Sequence, residues 1–131
     1  DGLAFAADAD GATSAFRVSS DGGEVRSLLT GGQIGGLSAA PGKPARIAFT
    51  WAHMNAPAEV YSDIVATVGL GKVMATDVSR ANAAPLAQLD RPQPESVSIP
   101  VEGGVEMQMW LLKPPGFDAP ANKGKKWPVA Y

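Results

Sequence analysis

Fifteen glycines and eleven prolines fall at short intervals along 131 residues and leave little room for ordinary helices. Between them lie runs of five to eight residues, several alternating apolar and polar with period two. Short alternating runs with closely spaced turn signals define an all-β chain. The first are Leu3–Ala7, Thr13–Val18 and Glu24–Thr30, separated by Asp8-Ala9-Asp10-Gly11 and Ser20-Asp21-Gly22-Gly23. Both connectors suit hairpins, because Gly reaches positive φ freely and Asp tolerates it.

The pattern restarts after a loop expected at Gly31-Gly32-Gln33-Ile34-Gly35-Gly36. Leu37–Ala40 is a short run, Pro41-Gly42-Lys43-Pro44 a turn and Arg46–Ala52 a strand. A loop over His53 to Pro57 leads to Ala58–Thr67, and Gly69-Leu70-Gly71 turns the chain into Lys72–Asp77. Leu3-Ala4-Phe5 matches Ile47-Ala48-Phe49 at an offset of 44, Phe16 falls opposite Tyr61, and Thr30 opposite Thr76. A repeat of about 40–50 residues holding four strands has the size of a β-propeller blade. On this reading residues 1–78 are propeller: a partial blade over 1–30 without its innermost strand, then a full blade over 37–77.

Residues 79–94 break the pattern and are expected to link two domains. Pro85 is placed at the first position of one or two helical turns running to Leu89, and Arg91-Pro92-Gln93-Pro94 is stiff and extended. Glu95–Val101 and Val105–Lys113 then alternate around a Glu102-Gly103-Gly104 turn and form an antiparallel hairpin. Trp127-Pro128-Val129-Ala130-Tyr131 is apolar throughout, as in a strand buried on both faces. A hairpin alone is marginal in water, and Glu95–Tyr131 falls short of the roughly 40 residues a domain without staples needs. Residues 95–131 are therefore expected to open a larger, truncated α/β domain, with the chain ending inside a strand.

Several function classes fall away on composition. The net charge of −2 comes from eleven basic and thirteen acidic residues without a clustered basic face, so no nucleic-acid surface is expected. Lys123-Gly124-Lys125-Lys126 is read as a solvated loop. The absence of cysteine removes a disulfide framework and a thiolate metal site, which fits a cytosol and is compatible with a periplasm. No run of about 18 apolar residues suggests a membrane span. Asp1–Phe5 carries no basic signal-peptide region.

The order of these features resembles the prolyl oligopeptidase family of serine peptidases, especially its dipeptidyl-peptidase and acylaminoacyl-peptidase-like members. The resemblance rests on Trp110-Leu111-Leu112-Lys113-Pro114-Pro115-Gly116-Phe117, followed by Trp127-Pro128-Val129. Asp21-Gly22-Gly23-Glu24-Val25-Arg26-Ser27-Leu28-Leu29-Thr30 is similar to the family's outer-blade run. The usual Ser-Pro-Asp-Gly turn is degraded to Ala40-Pro41-Gly42-Lys43-Pro44 and lacks its Asp. The resemblance covers essentially the whole chain. It implies a mainly β fold: the last one to two propeller blades, then the first strands of an incomplete α/β-hydrolase domain.

It also implies a parent serine exopeptidase that releases dipeptides or acylated N-terminal residues from peptides. A Ser-His-Asp triad would act by acyl transfer, with backbone N–H groups holding the oxyanion. The oxyanion loop would follow the strand that Tyr131 interrupts, and the nucleophile elbow would come later. No Gly-x-Ser-x-Gly occurs in these residues. Catalytic, cofactor and metal residues are therefore expected to be none, and the chain alone inactive. Its expected partners are the rest of the peptidase and, for the parent, peptide substrates; no cofactor is implied.

The individual candidates have simpler readings. His53, the only histidine, could serve as a base or ligand but has no neighbouring nucleophile signature and is read as a loop or interface residue. Asp8-Ala9-Asp10-Gly11 begins like a calcium loop and then fails at Ala12, with no closing Glu. Glu102 and Glu106 flank a turn and are read as solvated hairpin charges, not a catalytic pair. Met107, Met109 and Trp110 are sheet-face residues awaiting a partner layer, and the Gly31–Gly36 pairs lack a phosphate loop's strand–helix context. Two rival architectures remain: a non-catalytic β-propeller binding module, which predicts cooperative folding and partner binding, and a self-standing β-sandwich. Exposed edges at Leu3–Ala7 and Trp127–Tyr131 favour aggregation of the isolated chain over either.

Overall fold

Asp10 and Gly11 take φ of 51° and 69° and reverse the chain between β1 (Gly2–Ala9) and β2 (Ala12–Ser19). Two successive positive-φ residues match the right-handed twist of paired strands, which is why Asp-Gly serves here. The computed structural model describes residues 2–42, 45–64 and 75–130. The protein is mainly β and divides into two compact units, Asp1–Gln88 and Leu89–Tyr131.

The first unit contains two antiparallel meanders. In one, β1 pairs with β2 and β2 with β3 (Arg26–Leu29). In the other, β4 (Gln33–Ala40), β5 (Arg46–His53), β6 (Ala56–Ile64) and the two-residue β7 (Thr76–Asp77) follow in order. Among the described residues one parallel bridge, Thr13↔Gln33, joins β2 to β4. Beside it the Thr13 N–H donates to the Gly32 carbonyl at 3.1 Å.

The core lies where the two meanders meet and consists of Ala15, Leu28, Leu29, Ile34, Ile47 and Phe49. Burying each larger side chain contributes about 1.5–3 kcal/mol. Consecutive residues of a regular strand face opposite ways, yet Leu28 and Leu29 are both buried in this cluster. A bulge explains it: Ala15 faces Leu29 while Phe16 faces Ser27, so Leu28 is the extra residue that turns inward.

The structure departs from the expected elements at four places in this unit. Gln33–Ala40 is one strand, so the glycine-rich segment is a loop only at its start. Gly36, at φ 57°, supplies the bulge where Gly35↔Thr50 gives way to Ser38↔Ala48. The expected loop over His53 to Pro57 shrinks to a turn at Met54 and Asn55, with His53 opposite Ala56. The repeat's third strand is shifted: Ser27 faces Phe16 and Asp77 faces Tyr61, an offset of 50 in place of the Thr30–Thr76 match. The short helix α1 spans Ala83–Leu86, with Pro85 third and not first. Proline fits there because the first four helical N–H groups have no intrahelical acceptor. The Gly69-Leu70-Gly71 turn, and parts of the expected runs Ala58–Thr67, Lys72–Asp77 and Pro41–Pro44, lie outside the described residues.

In the second unit β8 (Glu95–Val101) and β9 (Val105–Leu111) pair in full register around a short 3-10 turn, with Gly103 and Gly104 at φ 83° and 73°. Val97↔Met109, Ile99↔Met107 and Val101↔Val105 line one face. Lys113 anchors the following segment through ion pairs to Glu95 at 2.8 Å and Asp118 at 3.4 Å. The Asn122 amide donates to the Gly116 carbonyl at 2.8 Å, and the Phe117 and Trp127 rings lie 5.9 Å apart. Trp127–Tyr131 was expected as a buried strand. Its described residues, Trp127 to Ala130, have no regular structure, and Val129 is 84% exposed. An apolar run becomes a strand only against a hydrogen-bonding neighbour; here Trp127 packs on Phe117, and Pro128 has no N–H to donate.

Candidate functional site

The end of β5 carries a cluster of aromatic side chains around Trp51. Trp51 sits among Phe49, Tyr61 and His53, with ring centroids 6.4, 5.3 and 4.5 Å away. Its indole N–H donates to the Gly31 carbonyl at 2.6 Å and draws the Gly31-Gly32 turn against the strand end. Gly32, at φ 76°, approaches so closely that a Cβ would fall 2.8 Å from both Trp51 Nε1 and His53 Nδ1. Partial burial lowers the His53 pKa from its ordinary value and favours the neutral imidazole. The cluster is aromatic packing, and among the described residues no serine or carboxylate hydrogen-bonds His53 as a general base would require.

Glu59 of β6 is a carboxylate held by four donors from residues 79–82. It lies opposite Trp51 in the ladder and is buried. The backbone N–H groups of Ala81 and Asn82 donate to it at 3.0 and 2.6 Å, the Asn82 amide at 2.8 Å, and the Ser79 hydroxyl closes the set. Next to it, Asp77 Oδ1 accepts from the N–H groups of Ser79 and Arg80 at 3.1 and 2.9 Å, with Arg80 at φ 47°. Hydrogen bonds from Ser79 and then Asn82 outweigh burial and hold the Glu59 pKa down at about 2. Burial, with Asp77 and Glu59 nearby, raises the Tyr61 pKa. Residues 79–82, the start of the segment expected to link two domains, are thus clasped to β6. Glu59 escaped notice in the sequence, although its spacing two residues before Tyr61 puts it on the core side of β6.

The other sequence candidates are dispersed. Asp8 Oδ1 lies 2.8 Å from the Thr13 hydroxyl, which is also 2.6 Å from the Gln33 side-chain amide, and Asp10 occupies the β1–β2 turn. Glu102 and Glu106 are exposed at the β8–β9 turn. Lys123, Lys125 and Lys126 are exposed, with the Lys125 ammonium 4.0 Å from the Trp127 ring centre. Lys113 has a raised pKa, first through its bond to Glu95. Among the described residues no group of three or more His, Cys, Asp or Glu is placed to hold a metal, and no helix is long and apolar enough to cross a membrane.

The hairpin of the second unit leaves a row of apolar side chains exposed. Val101, Val105, Met107, Met109 and Leu111 are between 37 and 61% exposed, and Trp110 on the opposite face is 38% exposed. Met107 and Met109 share a face as expected, while Trp110 stands on the other. Comparison with protein-family models and with curated proteins finds no match for this chain.

Proposed function

We propose that this chain is part of a serine exopeptidase of the prolyl oligopeptidase type, comprising the end of a β-propeller and the first strands of its α/β-hydrolase domain. The observation that carries the reading is the succession of supersecondary units. A three-stranded and a four-stranded antiparallel meander each carry a stacked aromatic pair at the equivalent place, and an antiparallel hairpin with an exposed apolar face follows a Pro-rich segment. Four-stranded antiparallel units repeated in tandem are what propellers are built from. The Trp110–Phe117 and Trp127–Val129 motifs supply the peptidase side of the reading, through the resemblance alone.

In this reading the chain's own residues shape and restrict access, and the acyl-transfer groups belong to later residues of the parent. Attack by a serine hydroxyl needs a His oriented by an acid, together with oxyanion donors. The parent then takes peptides as substrates and removes short units from their N-termini. The test is the coding sequence downstream of Tyr131, paired with labelling by a fluorophosphonate probe specific for reactive serines. A glycine-rich loop, a later Gly-x-Ser-x-Gly and labelling of the parent but not of residues 1–131 are the expected results. Absence of the serine elbow sinks the peptidase reading and leaves a propeller-type binding module in its place.

A further inference from the structure

Arg17 of β2 and Arg26 of β3 stand directly opposite each other in the antiparallel ladder. Residues so placed share a face with Cβ atoms about 4.5–5.5 Å apart, and like charges there repel. One counter-charge is present: Glu24 Oε2 lies 3.3 Å from Arg26 Nε. Among the described residues the Arg17 guanidinium has no hydrogen bond or ion pair. Folding therefore holds two cations together at the end of a strand pair without neutralising both. They line a cleft of about 220 Å³ together with Ser19, Gly22 and Glu24.

We propose that this cleft is an oxyanion site whose ligand is a phosphate group, free or carried as a monoester. A guanidinium presents paired N–H donors that match two oxygens of a carboxylate or phosphate. Glu24 already brings a carboxylate to Arg26, so the geometry admits an oxyanion there. Its hold is slight: the Glu24 and Arg26 side chains are 77 and 71% exposed, and exposed pairs contribute little. Glu24 belongs to a connector, residues 22–25, without regular structure, and swings aside at small cost. Two cations then face the ligand, which suits a phosphomonoester carrying about −1.5 to −2 charge at pH 7. The rim at Gly22 and Gly23 is open, since a Cβ on either meets nothing within 4 Å. A phosphate bridging Arg17 and Arg26 replaces their mutual repulsion with attraction to a shared ligand. The site is independent of the peptidase reading.

Phenylglyoxal labelling of the intact protein, with sites assigned by mass spectrometry, reads the occupancy of each arginine. Inorganic phosphate slows modification of Arg17 and Arg26 at least about fivefold near saturation, as mass action requires of an occupied site. The exposed Arg46 reacts at an unchanged rate. In Arg17→Gln phosphate no longer protects Arg26, while the thermal midpoint without phosphate stays at the wild-type value, so lost protection is not unfolding. Glu24→Gln removes the competing carboxylate and lowers the half-protecting phosphate concentration about two- to fivefold, the scale of an exposed ion pair. Phosphoserine is the second probe: protection below the phosphate concentration assigns a monoester, protection at or above it free phosphate. Equal modification rates with and without phosphate overturn the inference. So does equal protection by chloride at the same ionic strength, protection that extends to Arg46, or a Glu24→Gln variant that binds phosphate no better.

Discussion

Phe49 and Tyr61 face each other across β5 and β6, with ring centroids 5.9 Å apart and planes inclined by 13°. Phe49 is 1% exposed, whereas its counterpart Phe5 is only half-buried. Phe49→Ala therefore costs about 3–5 kcal/mol, the range for emptying a filled core site. Phe5→Ala in the same 131 residues costs less than half as much. Urea unfolding midpoints at constant slope measure both.

Leu28 and Leu29 offer a second check, because an unbulged strand would bury just one of two neighbours. Each substitution to Ala is expected to cost about 2–5 kcal/mol. A near-neutral Leu28→Ala in equilibrium unfolding would show that the bulge does not turn both residues inward.

Glu59 makes stability acid-sensitive in a defined window. Its folded-state pKa of about 2 lies below the ordinary 4.5, so its contribution is complete above pH 4.5. As pH falls from 4.5 through 2 the unfolded chain binds the proton first, and the contribution is lost. Thermal midpoints across that interval should fall more steeply in the wild type than in Glu59→Gln. The variant should also be the less stable of the two at pH 7.

Gly32 and Gly22 separate backbone strain from steric conflict. Both have positive φ, near 76° and 82°, but a Cβ at Gly22 meets nothing within 4 Å while one at Gly32 meets Trp51 and His53. Gly22→Ala is expected to cost about 1 kcal/mol from φ alone. Gly32→Ala adds the displacement of the Trp51 end and totals about 3 kcal/mol. Chemical unfolding gives the difference, and Trp51 fluorescence should change only in the second variant.

Much of the β architecture was legible because its signals are local. Asp10-Gly11 marks a hairpin by φ preference, and alternation from Glu95 to Leu111 specifies the β8–β9 pairing. The phenylalanines at 5 and 49 exposed the repeat. What the sequence hid depends on partners distant along the chain. Gly35 and Gly36 look like loop until β5 lies alongside and makes them a bulge. Trp127–Ala130 looks like a strand until the absence of a pairing neighbour in its unit is seen. Glu59 becomes distinctive only once residues 79–82 fold back over it, twenty and more positions later.

Among the described residues a single bridge, Thr13↔Gln33, pairs β2 with β4. An interruption inside either meander severs a ladder, whereas one between Leu29 and Gln33 breaks a bridge and the hydrogen bonds that Thr13 and Trp51 make to Gly32 and Gly31, and disturbs the core the meanders share. The register of each meander is therefore set by pairings inside it, and the two meanders are held together chiefly by the side chains they bury between them.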